Sequence, residues 1–152
     1  MALNKALIGK SYPPSVVYEV GREKIRDFAT AIGETNPLYF DEAAARAAGY
    51  KDLIAPPTFL TTLNFKYSPA IILDPELGLN YAFVVHGEQA YEHKRPVYPG
   101  DRLVGHGRIA DITARGANEY LYVEASIETE DGEVVSLARS TIVSRGTAPQ
   151  EG

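Results

Sequence analysis

From residue 81 onward, apolar and polar side chains alternate along the chain, and residues typical of turns interrupt the alternation. A period of two indicates half-buried β-strands. It predicts four strands, over residues 84–95, 102–114, 119–130 and 134–143. The last two strands are joined by Asp131-Gly132, a strong two-residue hairpin signal. Because an antiparallel meander of this kind has one apolar face, another element must cover that face.

The first half of the chain carries the period of helices instead. Residues 22–32 form an amphipathic stripe that ends at Gly33, a typical helix stop. Asp41 is the predicted N-cap of a second helix over residues 42–48, which Gly49 closes. A short strand over residues 15–20 precedes both helices.

A third helix is predicted to open at Pro56-Pro57-Thr58, since proline is tolerated in the first turn of a helix. Its apolar side chains make it the candidate for the central, buried helix. Pro69, Pro75 and Gly78 then indicate an irregular crossing to the meander. The element order predicts an α+β fold.

The 152 residues suffice for a single domain with a substantial core, and 45% of them are hydrophobic. We expect one domain over residues 1–145 and a disordered tail over residues 146–152. No internal repeat or linker interrupts the chain.

The formal charge of −5 argues against nucleic-acid binding, which depends on many cationic contacts to phosphates. The absence of cysteine excludes disulfides and thiolate metal sites. Since neither a signal peptide nor a membrane-spanning apolar run is evident, the protein is expected to be cytoplasmic, without a membrane partner.

Two blocks of sequence carry a family resemblance. The first is GETNPLYFD (residues 33–41), followed by an alanine-rich helix and IAPPTF (residues 54–59). The second is HGEQAY (residues 86–91), followed by KRP (residues 94–96) and PGD. The chain resembles the MaoC-like (R)-specific enoyl hydratases and 3-hydroxyacyl-thioester dehydratases, which are lyases of fatty-acid metabolism. It is most similar to the partner subunits of heteromeric dehydratases, which lack the catalytic dyad.

The resemblance implies a single hot-dog fold, an antiparallel curved sheet wrapped around a central helix. It also implies a hydratase or dehydratase site for an acyl-CoA or acyl-carrier-protein thioester, with no cofactor. In this family an Asp and a His five residues later position a water molecule between them. A backbone N–H at the start of the central helix binds the thioester oxygen.

This chain departs from that pattern at three positions. Glu34 stands where the family has the Asp, and Tyr39 stands where it has the His. A phenol is a poor base near neutral pH, whereas an imidazole is well suited to proton transfer. Pro57 falls at the oxyanion-hole position and has no N–H, although Thr58 would supply one if the alignment slips by one residue.

Glu34 and Tyr39 are therefore candidate catalytic residues only as a degenerate pair, and they can equally be ordinary loop residues. The resemblance implies substrate binding at five further positions: Asn36, Thr58, His86, Gly87 and Arg95. His86 is the obvious imidazole to replace the missing one, and it is predicted to share a strand face with Glu88. Four cations are candidate phosphate contacts, with Arg95 preferred among Lys94, Arg95, Arg102 and Arg108, and they can equally be ordinary charges on exposed strand positions. No metal site is expected, because the histidine spacing fits none.

The leading hypothesis is a non-catalytic, acyl-binding subunit that pairs with a chain carrying the Asp/His dyad. A second hypothesis is a self-sufficient hydratase that uses Glu34 with His86 or Tyr39. A third is a binding or regulatory protein without dehydratase activity, and a thioesterase is a weaker fourth, since fold does not fix function. Because sheet edges invite pairing, we expect a hot-dog homodimer or heterodimer.

Overall fold

The computed structural model describes residues 1–149 of the chain. Within these residues a single antiparallel sheet contains five strands in the order β1-β3-β4-β5-β2. The strands are β1 Tyr18–Glu19, β2 Val84–His93, β3 Arg102–Arg115, β4 Asn118–Thr129 and β5 Val134–Ser144. The helices are α1 Arg22–Ala31, α2 Glu42–Ala47 and α3 Thr61–Ile72.

Helix α3 lies against the concave face of the sheet and is the predicted central helix. Its buried face consists of Leu63, Tyr67 and Ile71. Gly105 and Gly107 on β3 let the helix approach closely, because a Cβ at Gly105 would lie 2.4 Å from Tyr67 Cδ1. This sheet around a helix confirms the hot-dog fold that the sequence resemblance implies.

The alternation of the sequence matches the two faces of the sheet. On β4, four side chains point into the core, at positions 121, 123, 125 and 127, and the residues between them are only partly buried. The predicted strands over residues 102–114, 119–130 and 134–143 agree with β3, β4 and β5 to within a residue or two. The Asp131-Gly132 hairpin forms with a loop of residues 130–133, in which Thr129 N–H donates to Glu133 O.

The caps of the first two helices also match the sequence. Gly33, which follows α1, has a φ of +75°, a conformation that favours glycine. Asp41 Oδ1 accepts hydrogen bonds from Ala43 N–H at 2.8 Å and Ala44 N–H at 3.4 Å, so it is the N-cap of α2.

Three boundaries differ from the predictions. Helix α3 begins at Thr61 rather than at Pro56, because residues 57–60 form turns in which Phe59 N–H donates to Pro56 O. Pro69 lies inside α3 and not in the crossing. The strand expected over residues 15–20 pairs only over Tyr18–Glu19.

The two edges of the sheet differ in whether another segment of the chain pairs with them. At one edge, the short strand β1 pairs with only two residues of β3. The N-terminal segment continues to cover β3 through hydrogen bonds such as Tyr12 N–H to Gly107 O at 2.9 Å and Ser15 N–H to Gly105 O at 3.0 Å. Strand β2 pairs with β5 on one side, and its other side pairs with no strand among residues 1–149. One edge of the sheet is therefore closed and the other is open.

Polar contacts hold the N-terminal segment in place. Lys10 Nζ and Tyr12 Oη each lie 2.7 Å from Asp74 Oδ2, and the Asp74 side chain is only 7% exposed. The fully buried carboxylate of Glu119 accepts from Leu3 N–H at 3.0–3.1 Å and from Thr147 Oγ1–H at 2.8 Å. Thr147 belongs to the predicted tail, of which residues 150–152 lie outside the described part.

Within residues 1–149 no helix is long and apolar enough to cross a membrane.

Candidate functional site

The segment of residues 33–41 forms a compact bend between α1 and α2. Asn36 Oδ1 accepts from Leu38 N–H at 3.1 Å and opens the 3-10 turn Pro37–Tyr39. The turn directs Tyr39 into the core, where its side chain is buried among the residues around α3. Asn36 itself stays exposed, so its side chain serves the turn.

A cavity of about 320 Å³ lies between Tyr39, the turn before α3 and the end of β2. Most of its lining is apolar, and the polar side chains are those of Tyr39, His93, Lys94 and Arg95. The apolar lining consists of aliphatic and proline side chains: Ile54, Ala55, Pro56, Pro57, Leu60, Pro96 and Val97. A concave apolar site with a few polar groups is the usual form of a small-molecule site.

Tyr39 is less acidic than a free tyrosine. Burial raises its pKa most, and the nearby Glu34 carboxylate and Tyr50 raise it further. Glu34 is thus close enough to act on Tyr39 electrostatically, although it is not among the residues that line the cavity. The phenol stays protonated near neutral pH and can donate a hydrogen bond.

Arg95 reaches the cavity, but its charge is already paired. Its guanidinium donates to Asp101 at 2.8 and 3.1 Å and to Glu133 at 2.7 Å. The hydrogen bond with Asp101 is the main reason that the pKa of Arg95 is raised. The neighbouring Lys94 pairs with Glu92. Neither cation is left without a counter-charge for a phosphate group.

His93 is the imidazole that lines this cavity, although it is not among the site residues that the sequence predicts. Its Nε2 lies 2.7 Å from Pro57 O, and its Nδ1 lies 3.1 Å from Ser136 Oγ. The ring stacks on Tyr91 with centroids 5.6 Å apart and an interplanar angle of 8°. The available signal was the strand period, which puts Tyr91 and His93 on one face of β2.

The expectation that His86 and Glu88 share a face is wrong. A β-bulge between them changes the register, so that His86 pairs with Ile142 and Glu88 pairs with Thr141. Adjacent residues of β5 point to opposite faces, and the two side chains therefore point apart. Gly87 occupies the bulge, where a Cβ would lie 3.2 Å from Val143 Cγ2.

His86 belongs to a polar network between β2 and α3, away from the cavity lining. Its Nε2 lies 3.2 Å from Gln89 Oε1, which also accepts from Asn64 Nδ2 at 2.9 Å. Tyr67 Oη donates to Asn64 Oδ1 at 2.6 Å. The network joins the edge strand to the central helix, and nothing in the sequence motif indicates it.

Thr58 lies in the turn before α3 and is exposed. Its carbonyl accepts from Thr61 N–H at 3.0 Å. The preceding Pro57 has no N–H, so the turn offers no donor at that position.

Of the seven predicted site residues, the cavity lining contains Tyr39 and Arg95. Glu34 acts on Tyr39 at short range, and Asn36 shapes the bend. Thr58, His86 and Gly87 lie outside the lining, and their role in substrate binding stays a prediction. Among residues 1–149, no three His, Asp or Glu side chains are grouped so as to hold a metal ion.

Comparisons with known proteins agree with this architecture. The family model described as "FAS1-like, dehydratase domain region" matches residues 6–138. A UPF0336 protein of Saccharopolyspora erythraea is 53% identical over 148 residues, which cover 97% of this chain and 95% of that protein. A UPF0336 protein of Streptomyces coelicolor is 48% identical over 145 residues, with coverage of 95% and 97%.

Solved structures are similar over nearly the whole chain. The C-terminally truncated HadBC (3R-hydroxyacyl-ACP dehydratase) complex of Mycobacterium tuberculosis matches with a TM-score of 0.77 and 30% identity. The match covers 88% of this chain and 92% of that one. The ChsH1–ChsH2 complex of the same organism shares the fold, with a TM-score of 0.73, 22% identity and coverage of 96% and 89%.

Proposed function

Since the chain belongs to the FAS1-like dehydratase-region family of MaoC-like hot-dog proteins, we propose that it is the non-catalytic, acyl-binding subunit of a (3R)-hydroxyacyl-thioester dehydratase. In this role it pairs with a second hot-dog chain that carries the Asp/His dyad. The substrate is a thioester of coenzyme A or of an acyl-carrier protein, and the pair lies in the cytoplasm.

The composition of the cavity is the observation that carries this proposal. Removal of water between C2 and C3 needs a base for the C2 proton and an acid for the hydroxyl. The cavity offers a phenol whose pKa is raised, and an imidazole with both nitrogens engaged. In the turn before α3, Pro57 stands at the position that the family resemblance assigns to the oxyanion hole, and it has no N–H for the developing oxyanion.

The same cavity suits an acyl chain. Its walls are aliphatic and proline side chains, and transfer of a methylene group from water to such surroundings contributes about 0.8 kcal/mol. Arg95 and Lys94 stand at one side with their charges paired. The site therefore favours a neutral, apolar ligand segment over an anionic one.

The open edge of β2 supports pairing with a second chain. Ten residues of this strand present unpaired backbone groups on one side within the described part of the protein. Apolar side chains lie exposed beside it, among them Tyr81 at 67% and Phe83 at 46%. The similar HadBC structure is itself named as a complex, a 3R-hydroxyacyl-ACP dehydratase.

The experiment compares the chain alone with the chain co-expressed with a dyad-bearing hot-dog partner. Hydration of crotonyl-coenzyme A is followed by the loss of enoyl absorbance. We expect no turnover from this chain alone. Full turnover should require co-expression with the partner whose dyad is intact. Replacement of the partner's dyad His by Ala should abolish the rate, whereas Tyr39→Phe in this chain should change it less than about threefold.

A self-sufficient enzyme would behave differently. Enzymatic turnover by the purified chain alone, lost in Glu34→Gln and in Tyr39→Phe, would overturn the proposal. A third outcome is that the chain binds acyl thioesters tightly but gives no turnover with any dyad-bearing partner. That outcome would indicate a binding or regulatory protein.

A further inference from the structure

His93 occupies an unusual position, because it joins three parts of the fold. It is the last residue of the edge strand β2, it lines the cavity, and it contacts the turn that precedes α3. The Pro57 carbonyl can only accept, so the 2.7 Å contact requires a proton on Nε2 whatever the charge of the ring.

The second ring nitrogen, Nδ1, is a hydrogen-bond partner for a buried hydroxyl group. Ser136 is fully buried, and its Oγ lies 3.1 Å from His93 Nδ1 and 3.3 Å from Glu92 O. In one arrangement the Ser136 hydroxyl donates to Nδ1, and the ring is neutral. In the other the hydroxyl donates to Glu92 O and accepts from Nδ1–H, and the ring is charged. In either arrangement Ser136 keeps a hydrogen bond with Nδ1, and Nε2 keeps the proton that it donates to Pro57 O.

Tyr91 adds a second connection between the same two elements. Its hydroxyl lies 3.0 Å from Thr61 Oγ1 at the first residue of α3, and its ring stacks on His93. Strand β2 therefore contacts both the turn before α3, at Pro57, and the first residue of α3, Thr61. Pro57 has no N–H, so its carbonyl is the only backbone group through which a polar partner can fix this residue.

We propose that His93 is a positioning residue for ligand binding: through the Pro57 carbonyl it fixes the proline turn as one wall of the apolar cavity. This inference rests on the proposed acyl-binding function, because that function makes the shape of the wall matter. The role is one of position, because Nε2–H donates to a protein carbonyl and Nδ1 contacts Ser136. It also connects the open edge of β2 to the cavity, so that the strand which receives the partner also shapes the ligand site.

The test uses three substitutions of His93, of which Gln and Asn separate the two ring nitrogens. A Gln side chain places its amide nitrogen near the position of the His Nε2, whereas an Asn side chain reaches only as far as Nδ1. His93→Gln should therefore keep the bond to Pro57, and His93→Asn and His93→Ala should lose it. The matched control is His106→Gln, because His106 lies on another strand and pairs with Glu128 at 3.2 Å, outside the cavity lining.

Binding of octanoyl-coenzyme A to the full chain in complex with its partner is measured by calorimetry. Loss of one hydrogen bond that positions the wall should weaken binding about three- to tenfold in His93→Asn and His93→Ala. His93→Gln and His106→Gln should stay within about twofold of the wild type. Equal weakening in all three His93 variants would indicate a packing role and overturn the inference, as would wild-type affinity in His93→Ala.

Hydrogen exchange of the peptide spanning residues 55–62 provides a readout that needs no ligand. Exchange should be faster in His93→Asn and His93→Ala, and unchanged in His93→Gln. Failure of the wild-type complex to bind octanoyl-coenzyme A, with this exchange pattern intact, would reject the proposed function but not the contact. Binding by the wild type with no difference in exchange among the variants would reject the inference alone.

Discussion

Gly105→Ala should destabilise the protein by about 2 kcal/mol, because the close approach of α3 to β3 leaves no space for a methyl group. A Cβ at Gly105 would lie 2.4 Å from Tyr67 Cδ1 and 3.0 Å from Cγ. Carbon atoms that are not bonded prefer about 3.5–4.0 Å, so the ring would have to retreat by about 1 Å. Overpacking of this kind costs about 1–3 kcal/mol, and the reduced freedom of the unfolded chain offsets less than about 1 kcal/mol.

Tyr67 cannot retreat easily. Its side chain is 3% exposed, and its hydroxyl donates to Asn64 Oδ1 at 2.6 Å. Gly107→Ala is the matched comparison, because its Cβ would meet the flexible end of a side chain, Ile71 Cδ1, at 2.8 Å and the Tyr67 ring only at 3.2 Å. We expect a smaller loss for Gly107→Ala than for Gly105→Ala.

Equilibrium urea unfolding measures the difference. With a slope of about 2 kcal/mol/M, Gly105→Ala should lower the midpoint by about 1 M and leave the slope unchanged. Replacing Tyr67 by Leu in the Gly105→Ala background should recover part of the loss, as a double-mutant cycle would show. An equal or larger loss in Gly107→Ala, or no coupling between residues 67 and 105, would refute the reasoning.

Two smaller predictions concern a helix cap and a largely buried carboxylate. Asp41→Ala should lower the free energy of unfolding by about 1 kcal/mol, since it removes the N-cap of α2; an unchanged urea midpoint would contradict this. Asp74→Asn should destabilise the protein at pH 7 but not below about pH 2. The hydrogen bond from Lys10, followed by that from Tyr12, lowers the pKa of Asp74 to about 2. A lowered pKa means that the stabilisation is complete above about pH 4 and is lost as the pH falls towards 2, which thermal unfolding across that range would detect.

The strands and helices could be predicted from the sequence because their periods are long and regular. Gly33 and Asp41 mark helix boundaries through local backbone chemistry, which needs no knowledge of distant residues. The start of α3 was misplaced for the opposite reason. Two prolines fit the first turn of a helix, but here they form 3-10-type turns, and Pro57 O accepts from His93, 36 positions away.

The site was predicted less completely than the fold. The motif contains Tyr39, which lines the cavity, but no local pattern indicates His93, because its partner Pro57 is 36 positions away in the sequence. The bulge at Gly87 reverses the face of one side chain without changing the composition of β2. A one-residue change of register leaves almost no trace in an apolar pattern, whereas it decides which side chains meet.

The buried Glu119 carboxylate has a consequence for chain connectivity. Leu3 N and Thr147 Oγ1 both lie within about 3 Å of its oxygens, so positions near the two ends of the described chain are neighbours in space. A short glycine-serine segment could join them, with new ends opened in the exposed loop at Asp131-Gly132. Such a circular permutant would keep β2 and its open edge in the middle of the polypeptide, where both can still fold against α3.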